Sequence, residues 1–236
     1  PQHYLKTVNS ALNTNYTDAY GGADTSSKSF SALQKAISYA MTSLLTTGGI
    51  RGNKKLKNFQ PRSFNMGISK KTFLQTKGFS NMNYGEDIDL TFRLWEIGFK
   101  TQFIAKAYVY HKRRTSWKQF YNQTFNFGAA RPILNKLHPT TVKITYWFPS
   151  IFVISLLFSF TAMLFKINTF ICLMGIYFLL IFIHSIYKSR NIKVAFYSLI
   201  ATFVMFLGYG LGFLQSIIKL RVCNKSVKNA FPEMFR

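Results

Sequence analysis

Carboxylates are scarce in this chain. Seven Asp and Glu stand against thirty Lys and Arg in 236 residues, a formal charge of +23. Cysteine is scarcer still. Cys172 and Cys223 are too few and too far apart for a disulfide framework or a cysteine metal site. The chain opens on Pro1 with neither Met nor a signal-peptide pattern, and so reads as a fragment or a processed product. Ionisable side chains are almost missing from the long apolar runs of the second half, where His184 is the exception, near the end of its run. That excludes a transporter or channel lined by charged groups.

Composition divides the chain. Residues 1–143 hold 21 of the 30 basic residues and six of the seven acids, enough chain for one soluble domain or a large part of one. Beyond them come three apolar runs, at about 145–165, 168–187 and 194–218, then a basic tail over 219–236. Each run reaches the roughly 20 residues that a helix needs to cross a bilayer. The basic first half and the cluster Lys188, Arg190, Lys193 both belong on the cytoplasmic side, which predicts an integral protein of the cell (inner) membrane. Three crossings would then export Lys219, Arg221, Lys225 and Lys228, against the positive-inside tendency. Either one run fails to cross or a further crossing lies outside this chain. The third run, interrupted by Gly208, Gly210 and Gly212, is the candidate for re-entry. With membrane runs present, a basic chain points to anionic lipid head groups and a phosphate-bearing substrate, not to nucleic acid.

The soluble half has readable elements. Phe30, Leu33, Ala36, Ile37 and Ala40 predict a helix over Ser29 to Leu45, with turns at Gly21-Gly22 and Gly48-Gly49. A polar, basic loop follows from Arg51 to Arg62, then a short strand over Ser63 to Ile68 and a helix over Lys70 to Thr76 capped by Ser69. A further helix starts at Glu86 and ends near Gly98, with Leu90, Leu94 and Ile97 as its seam. Its first turn holds three of the seven acids, Glu86, Asp87 and Asp89, where free N–H groups and the helix dipole favour carboxylates. Asp89 and Arg93, four apart, are expected to pair along the surface, leaving Glu86 and Asp87 to face a cleft. Thr101 to Tyr110 is β-rich and ends at His111. Thr115 or Ser116 then caps an aromatic helix of about 115–135, expected at the membrane interface and stopped or kinked at Pro132. Gln123, Phe127 and Arg131 share one of its faces.

Four segments in order resemble the membrane-bound family-2 glycosyltransferases, which have the GT-A fold. Phe64-Asn65-Met66-Gly67-Ile68 with Phe73 and Lys77-Gly78-Phe79 is similar to the family's acceptor-side strand and helix, with Lys77 in place of the first glycine of its G-G-F. Glu86-Asp87-Ile88-Asp89-Leu90 with Arg93, Leu94 and Gly98 resembles its E-D-x-x-L-x-x-R-L-x-x-x-G run. Val109-Tyr110-His111 with Arg113 and Arg114 resembles its strand-ending histidine. Gln123 to Arg131 resembles the interfacial glutamine–arginine helix of polysaccharide-building members.

The resemblance implies an α/β chain: part of a Rossmann-like GT-A domain followed by transmembrane helices. It implies Asp87 as general base, with Glu86 positioning the acceptor or Asp87 itself. It further implies substrate contacts at Asn65, Gly67, Arg113, Arg114, Gln123 and Arg131, and His111 reaching a metal or the diphosphate. The donor would be a nucleotide sugar, the acceptor a glycan or a lipid-linked sugar, and the cofactor Mg²⁺ or Mn²⁺. Members hold that cation with a D-x-D in a nucleotide-binding half. The resemblance places this chain just after that half, so the polypeptide alone is expected to bind nucleotide sugar poorly and to be inactive. Asp18 and Asp24, isolated in loop-like sequence, are poor substitutes for that motif. The competing expectation is a non-catalytic membrane partner subunit or a degenerate relative.

Overall fold

The computed structural model describes residues 2–25, 27, 29–48 and 59–235. The basic loop expected from Arg51 onward lies outside the described residues as far as Asn58, as does the turn position Gly49. In chain order the main elements are α1 (Tyr4–Thr14), β1 (Ala19–Thr25), α2 (Ala32–Thr42), α3 (Leu44–Thr47), β2 (Met66–Ile68), α4 (Lys70–Gln75), α5 (Glu86–Glu96) and β3 (Thr101–Tyr110). There follow α6 (Trp117–Leu137), α7 (Phe148–Leu164), α8 (Thr169–Ser189), α9 (Ile192–Ile217) and α10 (Val227–Ala230). Beyond α9 the helix loosens into a π turn over Ile218–Val222.

The three strands form one sheet in the order β2-β1-β3, with β1 antiparallel to β2 and parallel to β3. Gly21 and Gly22, expected in a turn, lie inside β1. The reason is space. A Cβ on Gly22 would sit 1.7 Å from the Ala107 carbonyl oxygen of β3, so the glycine permits a close strand approach. Asp24 is therefore a strand residue, not a loop one. Gly67 on β2 plays the same part, its missing side chain filled by the Tyr20 ring.

Helix ends follow the capping chemistry. Ser31 and Gln34 close a capping box at α2, which is shorter than the expected helix because Ser43 turns the chain and caps α3. Ser69 caps α4, and Ser116, not Thr115, caps α6. Gly85 opens α5 at φ +83° and Gly98 follows it at φ +86°, conformations that favour glycine.

At Lys77 φ is +59°. A side chain there costs about 1–2 kcal/mol. Lys77→Gly is expected to raise unfolding free energy by about 1 kcal/mol after the added flexibility of the unfolded chain is deducted. Denaturant unfolding in detergent checks it; a lower midpoint in the variant would refute the strain.

α6 does not stop at Pro132 but continues to Leu137. The proline removes one helical hydrogen bond, yet Ala129, Ala130, Ile133 and Leu134 around it are all buried and hold the helix in place. α6 runs alongside α9 at backbone contact. A Cβ on Gly128 would lie 2.0 Å from the Tyr209 carbonyl oxygen, and one on Gly212 would lie 2.1 Å from that of Phe125. Small residues on both faces let the two helices touch. α9 also receives α2 and the first turns of α7, in a core that includes Ile37, Phe120, Phe152, Ala201 and Phe206.

Among the described residues, three helical stretches are long and apolar enough to cross a membrane, at Ile144–Leu164, Thr169–Ser189 and Ile192–Val222. The basic C-terminal segment folds back on the soluble half. Phe231 and Met234 are buried with Met82, Ile88 and Phe92.

Candidate active site

The site grows from the first turn of α5. Gly85 brings the chain into this turn against α6, where an added Cβ would come within 3.1 Å of Leu134. Asp87 follows with its side chain only 14% exposed. Its Oδ1 accepts from the Ile88 N–H at 2.8 Å, one of the free donors of the helix start. Its Oδ2 accepts from the Ser63 N–H at 3.3 Å, and Arg62 Nη1 stands 3.8 Å from Oδ1. Glu86 beside it is half-buried.

The turn at Arg62–Asn65 is the hub of this region. Arg62 and Ser63 meet Asp87, while the Phe64 ring stacks on His111 with centroids 4.0 Å apart. Asn65 is buried and fastens the turn to the sheet. Its Nδ2 donates to the carbonyls of Ala107 (3.0 Å) and Ala23 (3.2 Å), and its Oδ1 accepts from Tyr4 Oη at 2.7 Å. One four-residue segment thus draws the α5 carboxylate and the end of β3 toward each other. Arg62 was missed in the sequence because a basic loop carries no pattern that singles out one arginine, and Phe64, though part of the first motif, was given no role.

Past β3, Arg113 is buried and paired with Asp24 of β1, and its carbonyl accepts from Gln34 Nε2 at 3.1 Å. Arg114 is exposed. On α6, Gln123 is half-buried, whereas Arg131 is 8% exposed with its guanidinium 4.2 Å over the Tyr146 ring. Its Nε and Nη1 have no hydrogen-bond partner among the described residues. Two unused donors on a buried cation suit an anionic oxygen.

Asp89 departs from expectation. Asp89 is not a surface residue but 4% exposed, and its pairing with Arg93 is one part of a buried network. Arg93 donates to Asp89 Oδ2 through Nε (3.0 Å) and Nη2 (2.9 Å), and also to the carbonyls of Thr76 and Gly78. His138, just beyond α6, places Nε2 2.9 Å from Asp89 Oδ1 and Nδ1 2.6 Å from Glu96 Oε1. Burial pushes the Asp89 carboxyl up, but His138 and the Arg93 guanidinium outweigh it and hold the group below its ordinary value of 3.8. A carboxyl depressed in the folded state adds stability above its unfolded pKa, and that stability is lost as pH falls through the folded value. Unfolding midpoints taken from pH 7 downward should therefore drop on the acid side of about pH 4. The drop should be shallower in Asp89→Asn; equal slopes would remove Asp89 from the account.

The sequence model of glycosyl transferase family group 2 matches residues 64–185, more than half of the chain. The chain belongs to that family. Comparison with curated proteins gives no match. The matched region of this glycosyltransferase runs from the Phe64 turn through α5, β3, α6 and α7 into α8, so it holds Asp87, His111 and Arg131 together. The family role is glycosyl transfer, with a nucleotide sugar and an acceptor as substrates. Family members commonly depend on a divalent cation, and the described residues of the transferase do not offer it a site. No three of their His, Cys, Asp or Glu side chains are placed to hold a metal ion; Asp89 and Glu96 meet opposite nitrogens of the His138 ring instead. Asp87-Ile88-Asp89 has the D-x-D spelling, but Asp89 is committed to His138 and Arg93. No step below is routed through a metal.

Proposed function

We propose that this chain is the acceptor-side and membrane part of an inverting glycosyltransferase. It would move a sugar from a nucleotide-sugar donor to a glycan or lipid-linked acceptor at the cytoplasmic face of the cell membrane. The observation that carries this reading is Asp87, a carboxylate at a helix start held by the Ile88 and Ser63 N–H groups and only partly open to solvent. In the proposed step Asp87 takes the proton of the acceptor hydroxyl as that oxygen attacks the anomeric carbon. The new C–O bond forms opposite the one that breaks, the nucleoside diphosphate leaves with its electron pair, and the anomeric centre inverts.

Glu86 is assigned to positioning the acceptor or Asp87. Arg131, with two unused donors in a buried setting, is the strongest candidate to neutralise phosphate oxygens. Arg113 and Arg114 are assigned to the same task, His111 to the donor's diphosphate or its cation, and Asn65, Gly67 and Gln123 to the acceptor side. The surplus of basic residues suits anionic lipid at the same face.

The test is transfer by the full-length protein in membranes, across a panel of nucleotide sugars with Mg²⁺ or Mn²⁺ supplied. Turnover of one donor supports the reading. If no donor is turned over by well-expressed protein, the non-catalytic partner subunit takes its place.

A further inference from the structure

α9 is as long and apolar as a membrane-crossing helix, yet its surroundings are those of a helix inside a protein. Of its most apolar stretch 50% is buried, against 28% for the stretch containing α7 and 11% for α8. Much of the cover comes from α6 and α2 of the soluble half, with α7 and α8 on the rest. Near the start of α9, Tyr197 meets Trp117 of α6 at 5.9 Å between ring centroids. Further along, Gly208 lies where an added Cβ would touch Thr124 and Tyr121 of α6, and Gly212 lies on Phe125 and Ala129. After α9, Leu220 is buried with Ile133 and Leu134. α6 therefore follows α9 from end to end. α6 also exposes Gln119 and Asn122, and between its terminal lysines it carries Gln123 and Arg131. Carrying α6 across a bilayer with α9 would cost about 2.5–3.5 kcal/mol for the arginine alone if it lay near the centre.

A second observation is independent of burial. The C-terminal segment hydrogen-bonds to the loop that leads into α5. Met82 and Phe235 form an antiparallel bridge, the Asn83 N–H donates to the Met234 carbonyl at 2.8 Å, and Asn83 Nδ2 donates to that of Glu233 at 3.0 Å. A hydrocarbon layer about 30 Å thick cannot lie between groups in hydrogen-bond contact.

We infer that α9 does not cross the membrane: every crossing this chain makes is made by the α7–α8 hairpin, and the soluble half, both ends of α9 and the C-terminal segment stand on one face. The hairpin has the surface for that role, since Ile154, Leu157, Phe160, Leu173, Ile176 and Leu180 are all exposed. The arrangement also resolves the charge conflict. Lys188, Arg190 and Lys193 around the start of α9 and Lys219, Arg221, Lys225 and Lys228 after it share a face with the basic soluble half, as the positive-inside tendency requires.

The native thiols make the test direct. Cys223 is exposed just after the π turn, and Cys172 is exposed on α8. In full-length protein in sealed membrane vesicles, with Cys172→Ala, a membrane-impermeant maleimide should label Cys223. A Cys172→Ala/Cys223→Ser/Asn13→Cys protein should be labelled in vesicles of the same orientation, because Asn13 is exposed on α1 of the soluble half. Inverting the vesicles should switch both signals together. Labelling of Cys223 from the face opposite Asn13→Cys would overturn the inference. So would failure of a short bismaleimide to join Asn83→Cys to Glu233→Cys in membranes where each single variant is labelled.

Discussion

Asp87→Asn is expected to lower glycosyl transfer at least ~100-fold while expression and membrane integration stay as in wild type. The amide keeps the size of the side chain and one oxygen to accept from the Ile88 N–H, giving up the longer bond from Ser63, so the first turn of α5 should survive. What it loses is the capacity to take a proton. General-base catalysis contributes about 10²–10⁴-fold. The loss should fall on kcat, with KM for the donor changed by no more than a few-fold, because the base acts on the acceptor hydroxyl in the transition state. Radiolabelled sugar transfer in membranes measures both. Equal rates for variant and wild type would make Asp87 a helix cap and move the search to Glu86.

Asp89→Ala is expected to fail for a different reason. The variant leaves the Arg93 guanidinium and the buried His138 without the carboxylate that both address. Removing one partner of a buried ionic network costs about 3–5 kcal/mol. The same pair exposed on a helix surface would be worth about 0.3–0.5 kcal/mol. Burial is thus what separates a mild substitution from one that consumes much of a domain's ~5–15 kcal/mol. The expected result is a large fall in the detergent unfolding midpoint, read by the near-ultraviolet signal of Trp95, whose Nε1 bonds Thr101 on β3. Asp89→Asn, which can still accept from Arg93, should fall less. A midpoint within experimental error of wild type would place Asp89 back at the surface. Activity distinguishes the two aspartates: Asp87→Asn should be folded and slow, Asp89→Ala poorly folded.

Part of this was legible in the sequence, and the part that was not has physical causes. α5, β3 and α6 were readable because period, caps and glycine punctuation are local properties, and β3 was placed at its observed ends. β1 was hidden because Gly21 and Gly22 look like a turn unless one knows that the Ala107 carbonyl stands where the Gly22 side chain would be, and Phe59 where that of Gly21 would be. The carboxylate cluster was visible, and the four-residue spacing to Arg93 set Asp89 apart from Asp87. Its burial was not visible, because His138, which covers it, stands 49 positions away. Likewise, apolar composition reported that α9 avoids water without reporting that α2 and α6 supply its cover.

The pairing of Met82 with Phe235 bears on the order in which the molecule is made. Asn83 and its partner Glu233 are 150 positions apart. At roughly 5–20 residues per second of synthesis, the loop feeding α5 waits on the order of ten to thirty seconds for that strand. During the wait α7 and α8 emerge and find lipid. The Met82 and Phe92 surface that Phe231 and Met234 later cover stands open meanwhile, so the nascent soluble half has an apolar face to guard until those two residues arrive. A ribosome stalled before Phe231 should hold a chain already embedded in the bilayer whose α5 region is still sensitive to protease.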